Sequence, residues 1–252
     1  MIGCLRLKTG FDGTKTFAED LFFTPPFKMY SPFYVGNSAK FISMCAAAGV
    51  LEGDENQIFL DIGNNCDVIF TDQGYQKLFN TNNGISSQNL KIKVGENASL
   101  KYLPHPIMTF GGCDHTAENI IDITSSSSLI FSEIYCCGRT AMGEEFALKR
   151  FSSRTEIKID GKIDFIDRTL IEPQIFPEKN IGFFEGFTHT GIMYIFFPYE
   201  TKMENILNEN LCNSESMQAA YSRTSKGLSV RVLGTSGEDI FEWFNGITDM
   251  LS

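Results

Sequence analysis

The sequence predicts a mainly β protein of many short strands stacked in layers, with about two α-helices in the C-terminal third. Three observations carry this. The first is a weak internal repeat. IFLDIGNNCDVIF, LKIKVGENASLKYL and IIDITSSSSLIF each join a β-run, a four-residue polar turn and a second β-run, with turns starting near Gly63, Gly95 and Ser125. A period of about 30 residues suits a stacked β architecture, whether a coil of strands or two layered sheets. The second is clean alternation, as in Leu90-Lys91-Ile92-Lys93-Val94, together with 23 phenylalanines that favour sheets packed face to face. The third is that sustained apolar stripes at helical spacing appear only late in the chain.

Taken in order, residues 3–23 read as a hairpin. Leu5 and Leu7 alternate with Arg6 and Lys8, and Phe11-Asp12-Gly13-Thr14 supplies the turn. GFDGTKT at that tip lacks both the spacing and the strand-to-helix context of a phosphate loop. Residues 24–34, TPPFKMYSPFY, contain three prolines and are extended or turning. Their aromatics, Phe27, Tyr30, Phe33 and Tyr34, either strap a sheet edge or face a partner. Residues 38–50 suit a strand or a short helix, and Gly53-Asp54 makes a turn whose carboxylate caps backbone amides. TDQGYQKLF and Leu103-Pro104-His105-Pro106 are irregular, and the prolines exclude a central strand at His105. A fourth hairpin follows the three repeats, turning at Asp160-Gly161. Residues 192–197 and 228–232 read as strands. Residues 199–212 read as a helix with Met203, Ile206, Leu207 and Leu211 on one face. A last helix starts at an N-cap, Ser236, with Asp239 at N3, and presents Ile240, Phe241, Phe244, Ile247 and Leu251.

A chain of 252 residues is within reach of one all-β domain, so a single domain over 1–252 is expected. Its charge, 21 − 31 = −10, makes it a poor binder of phosphate backbones and favours cations and basic partner surfaces. No nucleic acid is expected. Seven cysteines, an odd number without a C-x-x-C spacing, argue against a disulfide framework or a zinc knuckle and fit a reducing cytoplasm. The N-terminus has no apolar h-region, and no uninterrupted apolar stretch reaches about 18 residues, so neither a signal peptide nor a membrane span is expected.

Candidate chemistry centres on residues 125–146, SSSSLIFSEIYCCGRTAMGEEF. Glu133 lies inside the apolar run, and Arg139, Glu144 and Glu145 follow it closely. Ionisable groups beside a buried strand either pair with each other or serve a site. Glu133, Glu144 and Glu145, with Asp54 and Asp72, can supply a general acid and base. Alternatively, Arg139 and Arg168 neutralise them inside the fold. Cys136 and Cys137 face opposite sides of a strand, cannot chelate one ion together, and read as small core residues. The best tight metal set is His105 with Cys113 and His115, residue types suited to Ni²⁺ or Zn²⁺. No nucleophile elbow, HExxH or Gly-rich phosphate loop is present. A β-helical lyase acting on acidic polysaccharide needs a basic cleft, and the chain has no lysine–arginine cluster.

Several of these pieces stand together in a recognisable order over roughly residues 20–173. They are TPPFKMYSPFY, Gly53-Asp54, TDQGYQKLF followed by Gln88, Leu103-Pro104-His105-Pro106-Ile107 with Phe110, Glu133, GRTAMGEEF, and Asp160-Gly161 with Asp167-Arg168. In combination they resemble the urease accessory protein family UreD, called UreH in some bacteria. The resemblance implies a stacked two-sheet, β-helix-like core with two helices, no catalysis and no tightly bound cofactor. It implies a scaffold that binds UreF, which recruits the GTPase UreG, the assembly delivering Ni²⁺ to apo-urease. An internal passage lined by polar and acidic groups would carry the ion. Carried over to this chain, Asp54, Glu133 and Glu144 line the passage and Arg139 orients them, since carboxylates and waters hold a passing ion more weakly than thiolates. The competing expectation makes Glu133, Arg139 and Glu144 a structural network in a protein-interaction module without a metal role.

Overall fold

A computed structural model describes residues 1–175, 177, 182–197 and 200–251. The chain begins with the expected hairpin, β1 (Ile2–Phe11) against β2 (Thr16–Phe23). Asp12 closes the turn by accepting the Thr14 and Lys15 amides at 2.8 and 2.9 Å. The proline-rich segment forms two short strands, β3 (Phe27–Met29) and β4 (Phe33–Val35), both antiparallel to β5 (Ser38–Cys45). Residues 38–45 are thus a strand, with Ala39, Phe41 and Ser43 buried at the period of two that only a strand produces.

The three repeats are successive windings of one β-solenoid, as the stacked architecture read from their spacing expects. In each, the first strand lies in one sheet and the second in the other. The pairs are β6 (Glu55–Ile62) with β7 (Asp67–Asp72), β9 (Ser86–Val94) with β10 (Ser99–Tyr102), and β12 (Asp114–Ile123) with β13 (Ser128–Cys136). Short strands β8 (Gln76–Leu78) and β11 (Ile107–Thr109) continue the first two windings and pair parallel with each other, and β11 also pairs parallel with β13. Locally, a strand–turn–strand unit looks the same whether its turn folds back or crosses to a facing layer. Stacking of the corners distinguishes them. Cys66, Ala98 and Ser127 are buried at equivalent corners, and the Ser99 and Ser128 amides each donate to the corner carbonyl of the preceding winding at 2.8 Å. A Cβ on Gly63 would stand 2.4 Å from the Thr9 carbonyl oxygen, so that corner requires glycine.

The fourth hairpin, β14 (Arg150–Ile159) with β15 (Lys162–Ile171), completes the first sheet in the order β15-β14-β12-β9-β6-β1-β2. The second sheet ends in three antiparallel strands, β16 (His189–Phe196), β17 (Met217–Arg223) and β18 (Leu228–Gly234). The polar edge strand β17 had no alternating apolar signal. Helices α1 (Glu200–Asn210) and α2 (Gly237–Met250) cover the outer face of this sheet. Met203, Leu207, Ile240, Phe244 and Ile247 pack there with Met193, Ile195 and Val230. The Ser236 hydroxyl caps α2, accepting the Asp239 amide at 3.2 Å. Leu211 lies beyond the end of α1 and is exposed, so the expected stripe loses its last member. Tyr199, the expected start of that helix, falls outside the described residues. Among the described residues no helix is long and apolar enough to cross a membrane.

Between the sheets the interior is divided lengthwise. At one end the first sheet presents the row Leu7–Leu60–Ile92–Ile121–Ile157. The second sheet presents an aromatic row, in which Phe70, Tyr102 and Phe131 stack at 5.4 and 5.2 Å. Toward the other end the rows turn polar. Asn56–Gln88–Ala117–Ser153 and Asn119–Thr155–Asp167 belong to the first sheet, and Ser43–Asp72 to the second, where Glu133 also faces inward. The outer face of the first sheet carries a cross-strand rung, Asp20–Lys8–Asp61–Lys93–Asp122–Lys158, that alternates in sign.

Candidate functional site

The polar half of the interior opens into a cavity of about 940 Å³. Ser43, Asp72, Gln76 and Glu133 line it from the second sheet, and Asn56 and Gln88 from the first. His105 lies in its wall, and its rim includes Gly138, Thr140 and the start of α2 at Ser236 and Gly237.

Glu133 stands at the inner end. It points inward because β13 alternates sides, and Phe131 and Tyr135 share its face. One carboxyl oxygen accepts Asn119 Nδ2 at 2.9 Å; the other accepts the Tyr135 hydroxyl at 2.8 Å and the Thr155 hydroxyl at 3.2 Å. All three donors are neutral. Burial raises this carboxyl to about 7, although the three hydrogen bonds pull the other way. Asp72 accepts the Ser43 hydroxyl, and burial pushes it up to about 6. Gln76 Nε2 donates to Gln88 Oε1 at 2.9 Å, tying the two sheets across the cavity. The site thus offers carboxyl, amide and hydroxyl oxygens, with two carboxyls that exchange protons near neutrality.

The expected Cys/His set is not brought together. The His105 ring stacks on Phe241 with centroids 4.2 Å apart. His115 is buried, shares a 2.8 Å hydrogen bond between Nδ1 and the Ser86 hydroxyl, and stacks on Phe151. Burial lowers its pKa to about 4 and raises that of Cys113 to about 12, leaving a neutral ring beside a protonated thiol. Among the described residues no three His, Cys, Asp or Glu side chains are grouped to hold a metal ion.

The remaining acidic candidates lie apart from the cavity lining. Asp54 caps its turn as expected, accepting the Leu51 amide at 2.9 Å and the N-terminal ammonium at 2.7 Å. Burial acts to raise its pKa, but these two donors outweigh it and hold the carboxyl below its ordinary value. Glu144 pairs with Arg139 and accepts the Gly111 amide at 2.8 Å; the guanidinium hydrogen bond is the main cause of its lowered pKa. Arg139 also lies over the Phe110 ring at 4.6 Å. Together these contacts fix the rim loop, and a Cβ on Gly138, at φ +118°, would meet the Glu144 carbonyl at 2.1 Å. Arg139 therefore neutralises Glu144 but not Glu133, and Arg168 is exposed on β15 rather than buried among acids. Glu145 is exposed. Sequence reasoning missed Asn119 and Thr155. Their only signal is that each occupies an inward position two residues before a buried isoleucine, Ile121 and Ile157.

Fold and site define a class: a two-sheet β-solenoid backed by helices and built around an internal cavity with buried carboxyls. The particular lineage follows from comparison with known proteins. The chain belongs to the UreD urease accessory protein family, whose sequence profile matches residues 1–252. It is 34% identical over 241 residues to urease accessory protein UreH of Helicobacter pylori (strain G27), covering 94% of this chain and 89% of that relative. It is 32% identical over 231 residues to urease accessory protein UreD of Acetivibrio thermocellus, covering 89% and 87%. The UreD of Flavobacterium johnsoniae is 30% identical over 257 residues, covering 98% and 91%.

Proposed function

We propose that this chain is a non-enzymatic scaffold of urease maturation in the cytoplasm. It docks a UreF-like protein and, through it, a UreG-like GTPase on apo-urease, and its cavity passes Ni²⁺ toward the urease active site without retaining it. One observation carries the passage: a large cavity between the sheets, lined in part by Glu133, a carboxyl with neutral hydrogen-bond partners. An ion in transit needs weak oxygen ligands, because thiolate and imidazole sites would hold it. Asp72 and Glu133 are the transit ligands in this reading, with Gln76 and Gln88 beside them. Asp54 and Glu144 serve the frame instead, one at a turn and the other at the rim.

The test is activation of apo-urease co-expressed with the accessory proteins and either wild-type chain or Asp72→Asn/Glu133→Gln. We expect pull-down of the partners to persist while urease activity and bound nickel fall by about tenfold or more. Full activation by the double variant would leave a protein-interaction module without a metal role.

A further inference from the structure

The polar rows continue beyond Glu133. In the first sheet Asn119, Thr155 and Asp167 are register neighbours. In the second, Glu133, Ile192 and Arg231 occupy one row. The two rows are joined twice. Asn119 and Thr155 reach Glu133 in the middle of the molecule. Farther along, Arg231 Nη2 on β18, one strand in from the edge strand β17, grips Asp167 Oδ1, while Thr169 Oγ1 donates to Asp167 Oδ2 at 3.1 Å.

The burial of this outer pair is lopsided. Asp167 is 4% exposed, whereas the Arg231 side chain is 59% exposed. A buried carboxyl is covered by a cation standing in solvent. In the row between Glu133 and Asp167, Asn119 Oδ1 is buried without a hydrogen-bond partner. Asn119 is 0% exposed. The Asn119 amide belongs to the seam, since its nitrogen touches both Glu133 and Thr155. A buried oxygen without a donor is costly, and here it marks where a water or a cation is accommodated.

We propose that this seam is the second mouth of the passage and that Arg231 is its latch. A divalent cation that has passed Glu133 leaves between the sheet edges at Asp167. The guanidinium yields because two cations compete for one carboxylate, and its exposed side chain is free to swing into solvent. This rests on the passage reading above. The plain alternative is a clasp that only holds the sheet edges together.

The experiment measures the rate at which apo-urease acquires labelled Ni²⁺ from the complete accessory complex. It compares wild type with Arg231→Gln, Asp167→Asn and Glu133→Gln, each checked by thermal melt and partner pull-down. Removing the latch should speed transfer by about three- to tenfold, removing the exit carboxyl should slow it by a similar factor, and Glu133→Gln should block it. A clasp predicts a lower melting temperature for Arg231→Gln with no gain in rate. If Arg231→Gln transfers nickel at or below the wild-type rate while Glu133→Gln blocks transfer, the latch is overturned and the passage stands. If Glu133→Gln transfers nickel like wild type, the passage falls and the latch with it. The thermal melt shows whether Arg231→Gln keeps the fold, and the decision does not depend on Asp167→Asn.

Discussion

Glu133 shows what burial does to one carboxyl. Its pKa rises from 4.5 to about 7, because removal from water penalises the charge more than three neutral donors favour it. The unfolded chain ionises this group near 4.5, whereas the folded chain keeps the proton until about 7. Its contribution to stability is therefore full below 4.5 and is lost as pH rises through 7. At about 1.4 kcal/mol per pKa unit, the ceiling is roughly 3 kcal/mol. Asp72 shifts the same way, from 3.8 to about 6. Urea midpoints of the wild type should thus fall between pH 4.5 and 7.5, and Asp72→Asn/Glu133→Gln should remove much of that fall. An unchanged slope in the double variant would count against both assignments. Glu133 was legible because it is the one charge in an apolar run. Its separation from Arg139 was not, because adjacency in sequence hides a change of direction. The chain turns at Gly138, Arg139 stays at the rim with Glu144, and Glu133 points between the sheets. Asn119 and Thr155 were silent because a polar residue in a strand ordinarily faces water.

Among the elements, the parallel strands of the first sheet present an outer face to solvent, where charged side chains are favoured. The alternating rung from Asp20 to Lys158 answers this, each charge flanked in register by opposite ones. Asp61 and Asp20 both help raise the pKa of Lys8, behind its closer partner Glu19, and Asp122 acts likewise on Lys158 behind Glu156. Lys93→Glu would place three acids in a row with Asp61 and Asp122. It should cost about 1–2 kcal/mol at low ionic strength. At 1 M salt, where the screening length is about 3 Å, most of that loss should vanish. Melts at the two salt concentrations decide, and a salt-independent loss would mean that packing, not charge, was disturbed. Local chemistry made the two hairpins and the α2 cap readable, since Asp12-Gly13, Asp160-Gly161 and Ser236 act within a few residues. The solenoid corners were not readable from the turn alone, because their partners sit a full winding away.

Over the whole molecule, the two sheets begin with aromatic surface. Phe11, Phe17, Phe22 and Phe23 on the first hairpin, and Tyr30, Phe33 and Tyr34 on the proline-rich segment, are all exposed. That segment pairs with the sheet edge, as the strap reading expects, and Phe27 is buried while Tyr30, Phe33 and Tyr34 stay exposed. Such apolar surface is what a partner covers. The chain expressed alone should be poorly soluble and should recover when a UreF-like partner is co-expressed, as soluble yield would measure. Equal yield with and without the partner would leave the surface unexplained. The spacing of the repeats foretold the layered build, while the divided interior emerged only when the windings were set side by side. That division has an evolutionary corollary. Each winding contributes its own member to the aliphatic rows and its own to the polar rows, so inserting or excising a complete winding edits the inner chemistry by a single step and leaves its neighbours aligned. A lineage built this way can tune how many acids line its interior simply by changing its length.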